Sequence, residues 1–108
     1  MTIDSVSLPM GRVVPIAGVG TMMLTDVAAE SRCPSDVQCV WAGDATIVLT
    51  VCPTGCTAPM AMRINLTTDP RVATVDGVRV SALRLLPLPR AGTVPRREEY
   101  VALVRVER

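Results

Sequence analysis

Two short runs between Asp44 and Leu66 change from apolar to polar and back at nearly every step, and this constrains the fold most. Ile47, Leu49 and Val51 share one phase while Thr46, Val48 and Thr50 share the other. Met60, Met62, Ile64 and Leu66 then alternate with Ala61, Arg63, Asn65 and Thr67. A period of two places alternate side chains on opposite faces of an extended chain, so both runs are strands. The segment Cys52-Pro-Thr-Gly-Cys56-Thr-Ala-Pro joins them as a short loop, which makes a hairpin the expected centre of the molecule.

The rest of the chain follows the same rule. Val13-Val14-Pro15-Ile16 and Thr21 to Val27 read as two strands of a meander around a Gly18-Val-Gly20 turn. Asp76-Gly77 marks a tight turn, after which Val78 and Val80 alternate with Arg79 and Ser81. The phase slips near Ala82, after which Leu83 and Leu85 oppose Arg84, so a bulge or bend is expected there, and Pro87 and Pro89 end the strand. Tyr100, Ala102, Val104 and Val106 line one face of a final strand, with Arg105 and Glu107 on the other. Val, Ile and Thr make up 32 of the 108 residues, a strand-forming bias, and no helix of ordinary length is predicted. With no Phe and only Trp41 and Tyr100 as aromatics, the core has to be aliphatic. The expectation is a single all-β domain over residues 1–108: a small antiparallel β-sandwich, or a partly open barrel, of six to eight strands with disulfide-braced loops.

All 11 basic residues are Arg, balanced by 10 acids to a net charge of +1, so no bulk field recruits nucleic acid or a membrane. Arg-only usage with abundant Ala, Val, Pro and Gly is what a G+C-rich genome encodes, and it implies a bacterial origin. Arg96-Arg97 is followed at once by Glu98-Glu99 and reads as a solvated turn. The apolar run from Val13 to Leu24 is broken by Pro15, Gly18 and Gly20, too short to span a bilayer, and Met1-Thr-Ile-Asp lacks a basic leader region. The reading is a mature exported domain whose leader has been replaced by Met1.

Four cysteines in a short chain without His point to disulfides and an oxidising compartment. Cys33–Cys39 and Cys52–Cys56 are the simplest pairs, although four cysteines allow three connectivities. Loops that short restrict the unfolded chain by only about 2–2.5 kcal/mol each, so such bridges shape loops more than they hold the domain. The alternative is a four-cysteine zinc site, for which the five residues between Cys33 and Cys39 are too many for a knuckle.

The segment 30–43 gathers the rare residues: Glu30, Ser31, Arg32, Cys33, Pro34, Cys39, Trp41 and Gly43. Ser31-Arg-Cys33-Pro34, four residues, then Cys39, Trp41 and Gly43 resembles a motif of small, largely uncharacterised exported bacterial proteins and lipoproteins. There an acidic residue precedes Ser-Arg-Cys-Pro, and Glu30 stands where Asp is frequent. The strand from Asp44 to Cys52, and Leu86-Pro-Leu-Pro89 with Tyr100 to Val106, resemble later segments of that family, while Cys52 and Cys56 are additions to it. The resemblance implies a secreted β-rich domain and no established activity.

Physically the same segment reads as a structural brace made of Arg32, Pro34, Trp41 and Gly43. Trp41 lies two residues past Cys39 and faces the same way on an extended chain, so a bridge packed on an indole forms a plug. Arg32 lies between Glu30 and Asp36 and has a fork suited to either carboxylate. Gly43 supplies a bulge or turn into the strand. Asp26, Glu30, Asp36 and Asp44 lie close by in sequence, and with loop carbonyls they leave calcium as the metal alternative, without an Asp-x-Asp-x-Asp pattern.

Catalytic readings find little to stand on. The chain has no His as a general base and no Lys for a Ser–Lys dyad. Gly18-Val-Gly20 lacks the rest of a dinucleotide fingerprint. Cys52 to Cys56 is one residue longer than a Cys-x-x-Cys redox pair. The expectation is therefore a non-catalytic module without a cofactor, exported to the periplasm, outer envelope or extracellular space, that binds or supports an envelope component or another protein. Three alternatives stand beside it. A proteinase-inhibitor-like binder would present the Cys52–Cys56 loop or residues 90–99. A self-assembling envelope or fibre subunit would use apolar Val101 and Leu103 on the outer face of the last strand. The third is the metal-binding domain. Any functional face is expected beside the brace at 30–43.

Overall fold

The computed structural model describes residues 3–34, 36–40 and 43–108. Among these, eight strands form two four-stranded antiparallel sheets: β1 (Ile3–Pro9), β8 (Val101–Glu107), β7 (Val78–Leu86) and β6 (Val72–Val75) in one, and β2 (Val14–Ile16), β3 (Gly20–Glu30), β4 (Ala45–Pro53) and β5 (Met60–Asn65) in the other. The sheets stay separate, so the molecule is a sandwich and not a closed barrel. The β4–β5 hairpin is the expected one, with Leu49 opposite Met62 and Ile47 opposite Ile64.

Alternation decides which faces meet. Met22, Leu24, Ile47, Leu49, Val51 and Ile64 on one sheet, and Leu8, Val80, Leu85, Val104 and Val106 on the other, are essentially solvent-free and form one core. Sheets stack about 10 Å apart, a gap that aliphatic side chains fill without aromatic rings. Tyr100, the one large ring among the described residues, is buried at the rim of that core, just before β8.

The phase slip in β7 is a bulge: register passes from Ala82↔Val104 to Arg84↔Leu103, and Leu83 is the extra residue, turned outward instead of sharing the buried face of Leu85. The turn between β6 and β7 has two central residues, Asp76 and Gly77, with φ of 49° and 76°, the pair of positive values that a type I′ hairpin requires.

Two strands fall where the alternation rule predicts none. In β1 only Leu8 is buried, and Ser5, Ser7 and Asp4 dilute the pattern. No residue of β6 is buried. Both form because the neighbours β8 and β7 offer backbone partners, a tertiary cause that an apolar pattern does not record.

Val101 and Leu103 do lie on the outer face of β8, half-buried, but β8 is a central strand flanked by β1 and β7 and offers no open edge. The run from Val13 to Leu24 forms β2 and the first part of β3. No helix of the described residues is long and apolar enough to cross a membrane.

Candidate functional site

At one end of the sandwich the chain leaves β3 at Glu30 and returns at Ala45, and it leaves β7 at Leu86 and returns at Val101. These two loops, 31–44 and 87–100, meet across a cleft of about 380 Å³ whose lining includes Glu30, Arg32, Pro34, Pro89, Arg90, Thr93, Val94, Pro95 and Tyr100.

Arg32 holds the floor. Its Nε donates to Glu30 Oε1 at 2.8 Å and Nη2 donates to Glu30 Oε2 at 2.6 Å, while Nη1 donates to the Leu85 carbonyl at 2.6 Å and Nη2 also reaches the Pro87 carbonyl at 3.1 Å. One guanidinium therefore ties the end of β3 to the end of β7 in the other sheet, with its side chain only 12% exposed. Of the two carboxylates flanking it in sequence, Arg32 selects Glu30. Burial opposes the charge on Glu30, but the Arg32 guanidinium and main chain outweigh it and hold the carboxyl below its usual range. The Tyr100 hydroxyl points at Glu30 Oε2 from 3.4 Å. Burial first, and then the charge of Glu30, push the Tyr100 phenol up.

Two further contacts hold loop 87–100, one to the other loop and one to β3. The Ala91 N–H donates to Asp36 Oδ1 at 2.9 Å, which joins loop 31–44 to loop 87–100 and is the main reason the Asp36 carboxyl sits below its usual range. Residues Arg97–Glu99 form a one-turn 3₁₀ helix, and Arg97 Nη1 donates to Asp26 Oδ1 at 2.6 Å. The Arg96-Arg97 pair is thus solvent-facing, as expected of a solvated turn, but Arg97 fastens the loop to β3 beside the bulge between Leu24 and Asp26.

The cysteines pair as Cys33–Cys39 and Cys52–Cys56, with Cα separations of 6.0 and 5.6 Å, and no thiol is free. This displaces the zinc alternative. The bridges lie at opposite ends of the sandwich, since β3 pairs Thr21 with Cys52 at one end and Glu30 with Ala45 at the other. Only Cys33–Cys39 belongs to the cleft end. Trp41, and with it the proposed plug of indole on disulfide, lies outside the described residues. Gly43 has φ of 73° and approaches the Ser31 backbone closely, two residues before β4.

The four candidate metal ligands are not brought together: among the described residues no three Asp, Glu, Cys or His side chains gather into a metal-sized group. Each carboxylate is engaged locally instead. Asp26 takes Arg97, Glu30 takes Arg32 and Asp36 takes the Ala91 amide. Asp44 is the most fully engaged. Its Oδ1 accepts from the amides of Ala45 at 2.8 Å, Leu66 at 3.1 Å and Thr67 at 2.8 Å, and Oδ2 accepts from the amide and hydroxyl of Thr68. Asp44 is the clasp that closes residues 66–68 onto the start of β4.

That clasp makes a pH prediction. Desolvation pushes the Asp44 carboxyl up, but the Thr68 hydroxyl and the Thr67 and Ala45 amides together hold it far below its ordinary 3.8. A carboxyl with a depressed folded pKa stabilises the fold in full above its unfolded pKa, and that contribution fades as pH falls toward the folded value. Asp44→Asn keeps the shape but turns an acceptor into a donor facing N–H groups, and it should cost about 1 kcal/mol at neutral pH. Urea denaturation should show the parent losing more stability than Asp44→Asn between about pH 5 and pH 2. Parallel losses in the two proteins would contradict this role.

The sequence marks 30–43 and 90–99 as separate segments, and nothing in it joins the two. Pro89, Thr93, Val94 and Pro95 lie in a non-periodic segment, where pattern carries no information about contacts. The one available signal was the proline spacing from Pro87 to Pro95, which promises a stiff loop. Chemically the cleft offers proline and valine walls, a tyrosine hydroxyl and an ion pair closed on itself, groups suited to recognition. The architecture is a disulfide-braced β-sandwich with a cleft at one loop end. No family model, no curated protein and no solved structure matches the chain.

Proposed function

We propose that this is an exported, non-catalytic binding module of the envelope or extracellular space, and that it holds a protein partner at the loop-end cleft. The observation that carries the reading is a cross-linked loop frame with uncovered apolar tips. Arg32, Asp36 and Arg97 fix the two loops to each other and to β3, yet Val94 and Val40 at their tips remain 91% and 93% exposed, and Leu88 is also exposed. Preorganised loops lose little conformational freedom on binding, so uncovered apolar groups on them contribute efficiently to affinity. Disulfides persist in oxidising compartments, which supports export.

The test is affinity capture, with a cross-linker, from the native envelope and culture fractions, using the parent, Val94→Asp and a control, Val13→Asp, at an exposed valine of the β1–β2 connection. A partner held by the parent and the control should be depleted about tenfold with Val94→Asp, the effect of losing one central anchor. Identical retention by all three would refute the cleft. Alkylation of four free thiols in protein taken directly from its native fraction would refute export.

A further inference from the structure

A second surface lies away from the cleft. Leu86 pairs with Val101 at the cleft end of the β7–β8 ladder, and Arg79 pairs with Glu107 at the opposite end. On the outer face near that far end is an open hollow of about 450 Å³, lined in part by Arg71, Arg79, Ser81 and Arg105.

Arg32 and the arginines of the hollow differ in how far their donors are used. Arg32 is nearly buried, and its donors are engaged by Glu30 and two carbonyls. Around the hollow they are largely unengaged. Arg105 uses only Nε on Glu107, at 3.2 Å, and Arg79 reaches the same carboxylate only at 3.9 Å, with their side chains 45% and 60% exposed. Arg71 has no hydrogen bond or ion pair among the described residues. Asp69 and Glu107 are the acids of the lining, so three guanidinium groups leave it net positive by one. Glu107 lies between Arg79 and Arg105 and steadies both without consuming their remaining N–H groups.

We propose that this hollow binds a phosphoryl group carried on a partly apolar molecule. A guanidinium presents donors in a fixed fork, and three such forks with the Ser81 hydroxyl match the several acceptor oxygens of a tetrahedral phosphate. The bulge in β7 turns Leu83 out at the same hollow, 52% exposed, and Val72 flanks it at 39%, which gives the organic part of the ligand an apolar shelf. The site is separate from the cleft and does not depend on the partner proposed there.

The experiment titrates the full chain at low salt with two probes. One is inorganic pyrophosphate, followed by amide chemical shifts. The other is vesicles of phosphatidylglycerol in phosphatidylcholine, followed by co-sedimentation against pure phosphatidylcholine. Pyrophosphate should give saturable shifts centred on Ser81, Leu83 and Arg105 with a dissociation constant of about 1 mM. Arg105→Gln and, outside the strands, Arg71→Gln should each weaken it about fivefold, and Arg63→Gln on the other sheet should not. Arg105-dependent sedimentation with phosphatidylglycerol would identify a lipid headgroup, and an Arg105-dependent response to pyrophosphate alone would identify a soluble phosphate. Responses that do not saturate, or that ignore Arg71 and Arg105, would overturn the site.

Discussion

Replacing Arg32 with alanine is expected to destabilise the fold by about 2–3 kcal/mol, the larger of the effects that the cleft end can show. The change removes the guanidinium from both oxygens of the Glu30 carboxylate, leaving it the residue-32 amide and the Tyr100 hydroxyl, and it removes the donors to two carbonyls at the end of β7. An exposed pair would contribute under about 1 kcal/mol, but this guanidinium is 12% exposed and Glu30 is 29% exposed, so solvent replaces little of what is lost. For a domain of this size the loss corresponds to roughly 10 °C in Tm. Arg32→Lys separates charge from geometry. Lysine keeps the positive charge but is a point donor and cannot serve Glu30 and both carbonyls at once. It should recover less than about half of the alanine loss. Glu30→Gln combined with Arg32→Ala should cost less than the two single changes added, because the uncompensated carboxylate is gone. A loss below about 0.5 kcal/mol for Arg32→Ala would reduce Arg32 to a surface pair.

The prominence of Arg32 shows where sequence reasoning works and where it stops. Its fork and its flanking acids are visible in Glu30-Ser-Arg-Cys-Pro-Ser-Asp36, and Glu30 is indeed its partner. The carbonyls of Leu85 and Pro87 are more than 50 positions away, in and just past β7 of the other sheet, so no local pattern reports them. The same division runs through the fold. Strands with a buried face, β3, β4, β5, β7 and β8, are legible because burial imposes alternation on their residues. Exposed β6 and nearly exposed β1 depend on a neighbour's backbone and leave little trace. Even the bulge at Leu83 shows as a phase slip, since the inward set has to resume at Leu85. The cleft is legible only as two separate loops, because the Asp36–Ala91 and Asp26–Arg97 links join segments with no common periodicity.

Gly43→Ala is expected to be nearly as damaging as Arg32→Ala, at about 2 kcal/mol or more, through the backbone alone. Gly43 sits at φ of 73°, where an L-residue pays about 1–2 kcal/mol for its Cβ. Space adds a second cost: a Cβ there would lie 1.9 Å from the Ser31 carbonyl oxygen and 2.8 Å from its carbon. Both are backbone atoms, so no rotamer change relieves the clash and the two ends of loop 31–44 have to separate. That separation strains the Ser31 N–H to Asp44 carbonyl bond of 2.7 Å, which closes the loop just past the β3–β4 ladder. It also disturbs Thr67, whose hydroxyl donates to the Gly43 carbonyl at 2.8 Å. Gly77 provides the control. Its φ is 76° but nothing lies within 4 Å of its would-be Cβ, so Gly77→Ala carries the conformational cost without the clash, about 1 kcal/mol. Urea denaturation of the two variants separates strain from collision. If Gly43→Ala is no worse than Gly77→Ala, the close approach of residues 43 and 31 does not hold in solution, and the brace at 30–43 loses its hinge.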